Sequence, residues 1–104
     1  MAVSKLADLV IIAVKYRIYR GNPRVWSAQI SPEHSRLVVP GGVVGREGIA
    51  SAIRDGYSVI TGNGAGASLV AGQRVHVVQN GMYYFIRVDN LPVMADDLGV
   101  VRRI

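Results

Sequence analysis

Hydrophobic and polar residues alternate over the stretch from Asp8 to Arg20, and a period of two is typical of a β-strand. The first half of the stretch is apolar on both faces, as a central strand would be, and the second half alternates, as an exposed end would. One face carries Val10, Ile12, Val14, Tyr16 and Ile18, and the other carries Ile11, Ala13, Lys15, Arg17 and Tyr19.

The segment from Gln73 to Arg87 contains Asn80-Gly81 between two β-rich runs, which is a strong signal for a β-hairpin. With these two residues as the turn, Gln79 would pair with Met82 and Val77 with Tyr84. The predicted core face carries Val75, Val77, Met82, Tyr84 and Ile86. The predicted outer face carries Arg74, His76, Val78, Tyr83, Phe85 and Arg87.

The remaining patterns predict shorter elements. Apolar residues at i, i+3 and i+4 predict one helix at about 46–55, ended by Gly56. A turn at Gly21-Asn22-Pro23 leads to a second strand, and further extended segments follow. The sequence therefore predicts an α+β fold, a twisted antiparallel sheet or small partly open barrel of about five strands with one short helix. Its further strands are Val25–Ile30, Leu37–Val39, Tyr57–Thr61, Leu69–Gln79, Met82–Val88 and Val100–Ile104.

The chain has 104 residues, which predicts a single domain over 1–104, with a flexible N-terminus at 1–7. It contains no cysteine, so a disulfide framework and a thiolate metal site are excluded. We find neither an apolar run of the roughly 18 residues that a membrane span needs nor the pattern of a signal peptide. A cytoplasmic protein with no membrane partner is therefore expected.

Charge and aromatic rings give the strongest functional signal. The formal net charge is +5, which favours attraction to polyanions. Arg74 and Arg87 are expected to face each other across the hairpin, and like charges in such a pair are unfavourable unless an anion lies between them. Sheets that bind nucleic acid stack bases on rings and pair phosphates with cations. The candidate binding residues are Lys15, Arg17, Tyr19, Arg74, His76, Tyr83, Phe85 and Arg87.

Two alternatives stay open. In the first, Tyr83 and Phe85 pack under the helix and the arginines only extend along the edge of the sheet. In the second, apolar residues such as Trp26 and the tract 37–39 form a contact between copies of a structural or assembly protein, for example in a phage-like or other multi-subunit particle. Self-association is expected in either case.

Other candidate chemistry is weak, and no catalytic residue, metal site or cofactor is predicted. The glycine-rich segment 62–67 lacks the following helix that a dinucleotide site needs, and it lacks Gly-Lys-Ser/Thr. Ser31 lies near His34 without a nucleophile-elbow motif. Asp96-Asp97 lacks a third oxygen ligand at the spacing of a cation site, which favours a turn instead.

The order of several motifs resembles the small bacterial proteins grouped as Domain of Unknown Function 3892. The resemblance is carried by Gly48–Tyr57, Val75–Val78, Gly81–Asp89 and Ala95–Gly99, within roughly the last sixty residues. It implies an α+β fold and assigns no activity. The sequence thus predicts a non-enzymatic binding protein whose partner is nucleic acid or another polyanion.

Overall fold

The computed structural model describes residues 5–64 and 66–104, which form one α-helix, two short 3-10 helices and eight strands. The helix, α1, spans Arg46–Arg54, and the 3-10 helices span Pro40–Gly42 and Gly66–Ser68. The strands are β1 (Leu9–Tyr19), β2 (Asn22–Ile30), β3 (Val43–Gly45), β4 (Val59–Asn63), β5 (Val70–Arg74), β6 (His76–Asn80), β7 (Tyr83–Arg87) and β8 (Arg102–Arg103).

The main sheet has the strand order β3-β2-β1-β4-β5, and β8 also pairs with β1. The strands β6 and β7 form a second, two-stranded sheet. The α+β class and the helix at 46–54 confirm the prediction from sequence. The main sheet is mixed, because β4 and β8 both run parallel to β1 while the other pairs are antiparallel.

The long strand β1 lies at the centre of the sheet because it has different partners along its length. Its first residues pair with β4, and Ala13 and Val14 pair with β8. Its pairing with β2 continues to Tyr19 and Asn22. Past Val14, β2 is its only strand partner among the residues described. Residues 15–27 therefore form a two-stranded projection, which we call the β1–β2 arm.

The turn of the arm is Arg20-Gly21, one position earlier than predicted. Both residues have positive φ, +50° at Arg20 and +81° at Gly21, as a type I′ hairpin turn requires. The pairing also shifts register between Lys15↔Ser27 and Tyr16↔Val25. Trp26 is therefore an extra residue on β2, a β-bulge.

The core lies between the main sheet, α1 and the β6–β7 hairpin. Helix α1 contributes Ile49 and Ala50, both buried. A Cβ on Gly48 would lie 2.6 Å from a methyl group of Val44 in β3, so the glycine in this helix permits a close approach. The core also contains Leu9, Ile11, Val14, Val25, Ala28, Ile30, Val59, Val75, Ile86, Leu98 and Val101.

The β6–β7 hairpin forms where expected, but its register differs. Gly81, at φ +62°, occupies the first central position of the turn, and Met82 the second. Val77 therefore pairs with Ile86 rather than with Tyr84. Because the pairs are offset by two positions, residues within the strands keep their predicted faces, but Phe85 and Arg87 on the predicted outer face are buried. Met82 is exposed at the turn and is not part of the core.

Three further segments differ from the prediction. The stretch 69–79 is two strands, because β5 joins the main sheet and β6 joins β7. Residues 37–39 form no strand, although Leu37 and Val39 pack against the core. Of the N-terminus predicted to be flexible, residues 1–4 lie outside the described residues. Leu6 donates a backbone hydrogen bond to His34, and Ala7 accepts one from Arg36.

Candidate polyanion-binding surface

Two arginines lie directly opposite each other on the β1–β2 arm. Arg17 pairs with Arg24, and Tyr19 pairs with Asn22 on the same face two residues further along. Like charges in cross-strand pairs are unfavourable by themselves. The sequence predicted such a juxtaposition for Arg74 and Arg87. That prediction is wrong, because His76 lies opposite Arg87 and Arg74 pairs with Ile60 in the other sheet.

Each arginine of the pair stacks on an aromatic ring. The Arg17 guanidinium carbon lies 3.5 Å from the centroid of the Trp26 ring. The Arg24 guanidinium carbon lies 4.4 Å from the Tyr19 ring and 5.5 Å from the Phe85 ring. These contacts hold the long side chains in place and favour the charged guanidinium over the ring face. The two positive charges are thus fixed at the surface.

Two clefts lie on either side of the Arg24–Tyr19 pair. The first has a volume of about 510 Å³ and contains Arg17 and Trp26 beside that pair. The second is smaller, about 80 Å³, and reaches the tip of the β6–β7 hairpin at Tyr83. Both clefts are lined in part by Tyr19 and Arg24. We call the two clefts and the ridge between them the basic–aromatic surface, which comprises Arg17, Tyr19, Arg20, Asn22, Arg24, Trp26, Tyr83 and Phe85.

The positive charge of this surface is largely uncompensated. Within residues 5–64 and 66–104, the ion pairs are Arg36–Asp8, Arg46–Asp96, Arg87–Asp89 and Arg87–Asp97. None of them involves Arg17, Arg20 or Arg24. A single carboxylate, that of Glu47, is among the residues that line the two clefts. The local field therefore favours an anionic ligand.

A buried carboxylate supports the surface from behind. Asp96 accepts hydrogen bonds from the backbone N–H of Val25 in the arm and of Ile86 in β7, both at 2.9 Å. It also accepts from Arg46 at the start of α1. The Arg46 guanidinium in turn lies 4.3 Å from the Tyr84 ring and 5.9 Å from the Phe85 ring. One side chain thus connects the arm, the helix and the hairpin.

The structure brings together only part of the predicted binding set. Tyr19 on the arm and Tyr83 on the hairpin line the same cleft, and Arg17 lines the adjoining one. Phe85 lines the second cleft with Tyr83 but is only 1% exposed. Its ring therefore packs against Arg24 and is not open to a ligand. Lys15 is exposed at the base of the arm. Arg74 and His76 lie on β5 and β6, away from the arm.

Arg87 is an internal structural residue and not a surface ligand. It is 5% exposed, donates to both Asp89 oxygens at 2.6 and 3.0 Å, and donates to the Ala95 carbonyl at 2.8 Å. The side-chain hydrogen bond with Asp89 raises the pKa of Arg87 and lowers the pKa of Asp89. The predicted role of Arg87 in anion binding is therefore wrong, because Arg87 is buried and Asp89 and Asp97 already neutralise its charge.

The sequence interpretation missed Arg20, Arg24 and Trp26. The sequence predicts an apolar contact for Trp26. Its cationic neighbour, Arg17, lies on the other strand, β1. A bulge at Trp26 brings the ring beside Arg17, and strand periodicity alone does not place a bulge. Arg24 falls between the predicted turn Gly21-Asn22-Pro23 and the predicted strand Val25–Ile30, so the sequence does not predict its pairing with Arg17.

The remaining candidates have structural roles. Ser31 Oγ lies 2.7 Å from His34 Nδ1, and both residues are buried. Asp97 accepts a hydrogen bond from the Gly99 N–H and forms an isolated β-bridge with Arg87. Of the segment 62–67, Ala65 lies outside the described residues; Gly62 and Asn63 end β4, Gly66 and Ala67 belong to a 3-10 helix, and β5 then runs antiparallel to β4. In the part of the chain that is described, no three His, Cys, Asp or Glu side chains cluster as metal ligands would.

Two broader comparisons complete the description. No helix within the described ranges is both long enough and apolar enough to cross a membrane. No protein-family model, curated protein or solved structure matches the chain. The resemblance to Domain of Unknown Function 3892 therefore stays a prediction, and the functional conclusion depends on the geometry of the basic–aromatic surface.

Proposed function

We propose that this protein is a non-enzymatic nucleic-acid-binding protein that uses the basic–aromatic surface. The observation that carries the proposal is the cross-strand pair of Arg17 and Arg24, two neighbouring cations with no carboxylate in an ion pair with either among the residues described. Such a pair of like charges costs free energy in the isolated protein, and phosphate groups bound to the two guanidiniums would reverse that cost.

Three other features support nucleic acid as the polyanion. The net charge of +5 attracts phosphate backbones at long range. The rings of Trp26, Tyr19 and Tyr83 are each about half exposed beside the cations. Exposed rings can stack on bases, which a nucleic acid has and a simple polysulfate lacks. The bidentate geometry of arginine also matches phosphate oxygens.

The proposal is tested by charge reversal with a matched control. Arg17→Glu/Arg24→Glu changes the net charge from +5 to +1, since each substitution removes two units. Lys5→Glu/Arg74→Glu gives the same net charge of +1 with exposed residues at the other end of β1. Affinity for labelled nucleic acid, measured by fluorescence anisotropy at several salt concentrations, should fall steeply with salt.

The first double variant should lose most of the binding, and the control should lose only the small part that follows from net charge. Circular dichroism checks that both variants remain folded. Equal losses in the two variants, or binding that does not depend on salt, would contradict the proposal.

Self-association is a second candidate function, and one observation favours it. Strand β5 forms an edge of the main sheet, and all five of its residues are exposed. Val100 is also exposed. It lies near this edge, because its carbonyl accepts a hydrogen bond from Asn63, the β4 partner of Val70. Free edge strands pair readily with other chains. We therefore also propose a homo-oligomer that joins through β5.

Light scattering after size-exclusion chromatography tests this candidate. The expected mass is a multiple of 11.2 kDa that persists in high salt and decreases in Val70→Lys/Val100→Lys. A sample that stays at the monomer mass at high protein concentration would contradict it.

A further inference from the structure

The aromatic rings of the basic–aromatic surface follow one another across its two clefts. Trp26 is 52% exposed in the first cleft, and Tyr83 is 49% exposed in the second. Tyr19, which is 47% exposed, lies between them on the ridge that it forms with Arg24. Each of the three rings has an arginine beside it or lines a cleft with one. The surface thus alternates between rings and cations.

This alternation distinguishes between kinds of nucleic acid. In a duplex the faces of the bases are stacked inside, so a protein meets phosphates and base edges. In a single strand the base faces are free, and each can stack on a ring while the neighbouring phosphate meets a cation. Rings recessed in concave clefts can reach a flexible strand that enters the clefts. A rigid duplex would meet mainly the Arg24–Tyr19 ridge.

We infer that the ligand of the surface is single-stranded nucleic acid, with neighbouring bases held in the two clefts. One base stacks in the first cleft on Trp26, and another stacks in the second on Tyr83. The strand crosses the ridge between them, where Arg24 meets its phosphate. Arg17 and Arg20 meet the phosphates on either side. The inference rests on the proposed function and narrows it to one class of ligand.

Trp26 is the only tryptophan of the chain, so its fluorescence reports directly on the first cleft. A short oligothymidylate should quench this fluorescence as it binds, because a stacked base contacts the indole. A duplex of the same length, compared at equal occupancy measured by anisotropy, should leave the fluorescence nearly unchanged. The affinity for the single strand should also exceed that for the duplex.

Ring removal provides the second arm of the experiment. Tyr83→Ala should weaken single-strand binding by about 5- to 150-fold, the range for one stacked base. It should change duplex binding much less. Tyr57→Ala is the matched control, because Tyr57 is an exposed tyrosine after α1 and lies outside the surface. Its affinity for the single strand should equal that of the unmodified protein.

The outcomes separate this inference from the proposed function. Equal affinity for single strand and duplex, with no quenching and full sensitivity to Arg17→Glu/Arg24→Glu, would overturn the inference and leave the proposed function standing. Binding to heparin as tight as to the single strand, with no effect of ring removal, would overturn both. Failure to bind any nucleic acid at low salt would likewise overturn both.

Discussion

Asp96 and Arg46 form a bidentate ion pair that is almost completely buried. Arg46 Nε donates to Asp96 Oδ2 at 2.7 Å, and Arg46 Nη2 donates to Oδ1 at 3.2 Å. The Arg46 side chain is only 15% exposed, and the Asp96 side chain is 0% exposed. Because the same carboxylate accepts from the backbone of Val25 and Ile86, it satisfies donors from three separate elements.

Replacement of Asp96 should therefore destabilise the whole fold. Asp96→Asn leaves the Arg46 charge buried without a counter-ion, and we expect a loss of about 3–5 kcal/mol in the free energy of unfolding. Urea denaturation followed by circular dichroism measures it. The neighbouring variant Asp97→Asn is the control. It removes a half-exposed charge and keeps an acceptor for Gly99, so the loss should stay below about 1 kcal/mol. Similar losses in the two variants would show that the buried pair has no special role.

Tyr16 should make stability depend on alkaline pH. Burial raises the pKa of its phenol, and the hydroxyl oxygen accepts a hydrogen bond from the Leu98 N–H at 3.0 Å. Since the pKa is higher in the folded state, the favourable contribution is complete below the unfolded value of about 10 and is lost as the pH rises through the folded value. Tyr16→Phe should cost about 1 kcal/mol at neutral pH and make the alkaline decline shallower. Chemical denaturation across that pH range measures both effects.

Tyr57→Phe is the matched control for that experiment, because Tyr57 is exposed. The stability of this variant at neutral pH should equal that of the unmodified protein. An alkaline decline that is as steep in Tyr16→Phe as in the unmodified protein would exclude Tyr16 as its source.

Asp89 should make stability depend on acidic pH. The hydrogen bond from Arg87 lowers the pKa of Asp89, so the carboxylate stabilises the folded state above its unfolded pKa of about 4. This contribution is lost as the pH falls through the lowered, folded-state value. Asp89→Asn should therefore destabilise the protein at neutral pH and reduce the further loss on acidification. Denaturation midpoints at neutral and acidic pH test this, with Glu33→Gln as an exposed-charge control.

Gly72 is expected to resist substitution because of a close approach within the main sheet. A Cβ at this position would lie 2.4 Å from Thr61 Oγ1 and 3.0 Å from the Thr61 carbonyl oxygen. The Thr61 hydroxyl already accepts a hydrogen bond from the Gln73 N–H at 3.0 Å, so it is not free to move. Gly72→Ala should lower the free energy of unfolding by about 1–3 kcal/mol.

Ala71→Ser, at the exposed position next to Gly72, is the control and should change thermal stability little. A Gly72→Ala variant as stable as the unmodified protein would show that β5 moves away from β4 at little cost.

Local sequence signals were sufficient for the parts of the fold that depend on local structure. The apolar run at the start of the stretch from Asp8 to Arg20 and the alternation that follows it define β1, and α1 has a clear apolar face ended by Gly56. Asn80-Gly81 likewise predicted the β6–β7 hairpin. Each of these signals lies within a few residues of the structure it predicts.

The features that were missed depend on partners far along the chain. The sequence predicted a single strand from Leu69 to Gln79, yet the strand divides at Val75, whose N–H donates to the Val59 carbonyl in the main sheet. Asp96 lies 71 residues from Val25, and a turn-forming pair of acids gives no sign of that contact. The sequence therefore predicted Arg17 and Tyr19 of the basic–aromatic surface, but it grouped them with Arg74 and Arg87, which lie elsewhere.

The two-residue offset of the β6–β7 hairpin determines which length changes that turn can tolerate. Substitutions that slide the turn by one position exchange every cross-strand partner but preserve the inward and outward sides. Insertion or deletion of a single residue at Gly81-Met82 would instead invert β7, so that Tyr83 and Phe85 would exchange faces with Tyr84 and Ile86. Variation in this turn should thus be permissive in residue type, whereas its residue count should stay even.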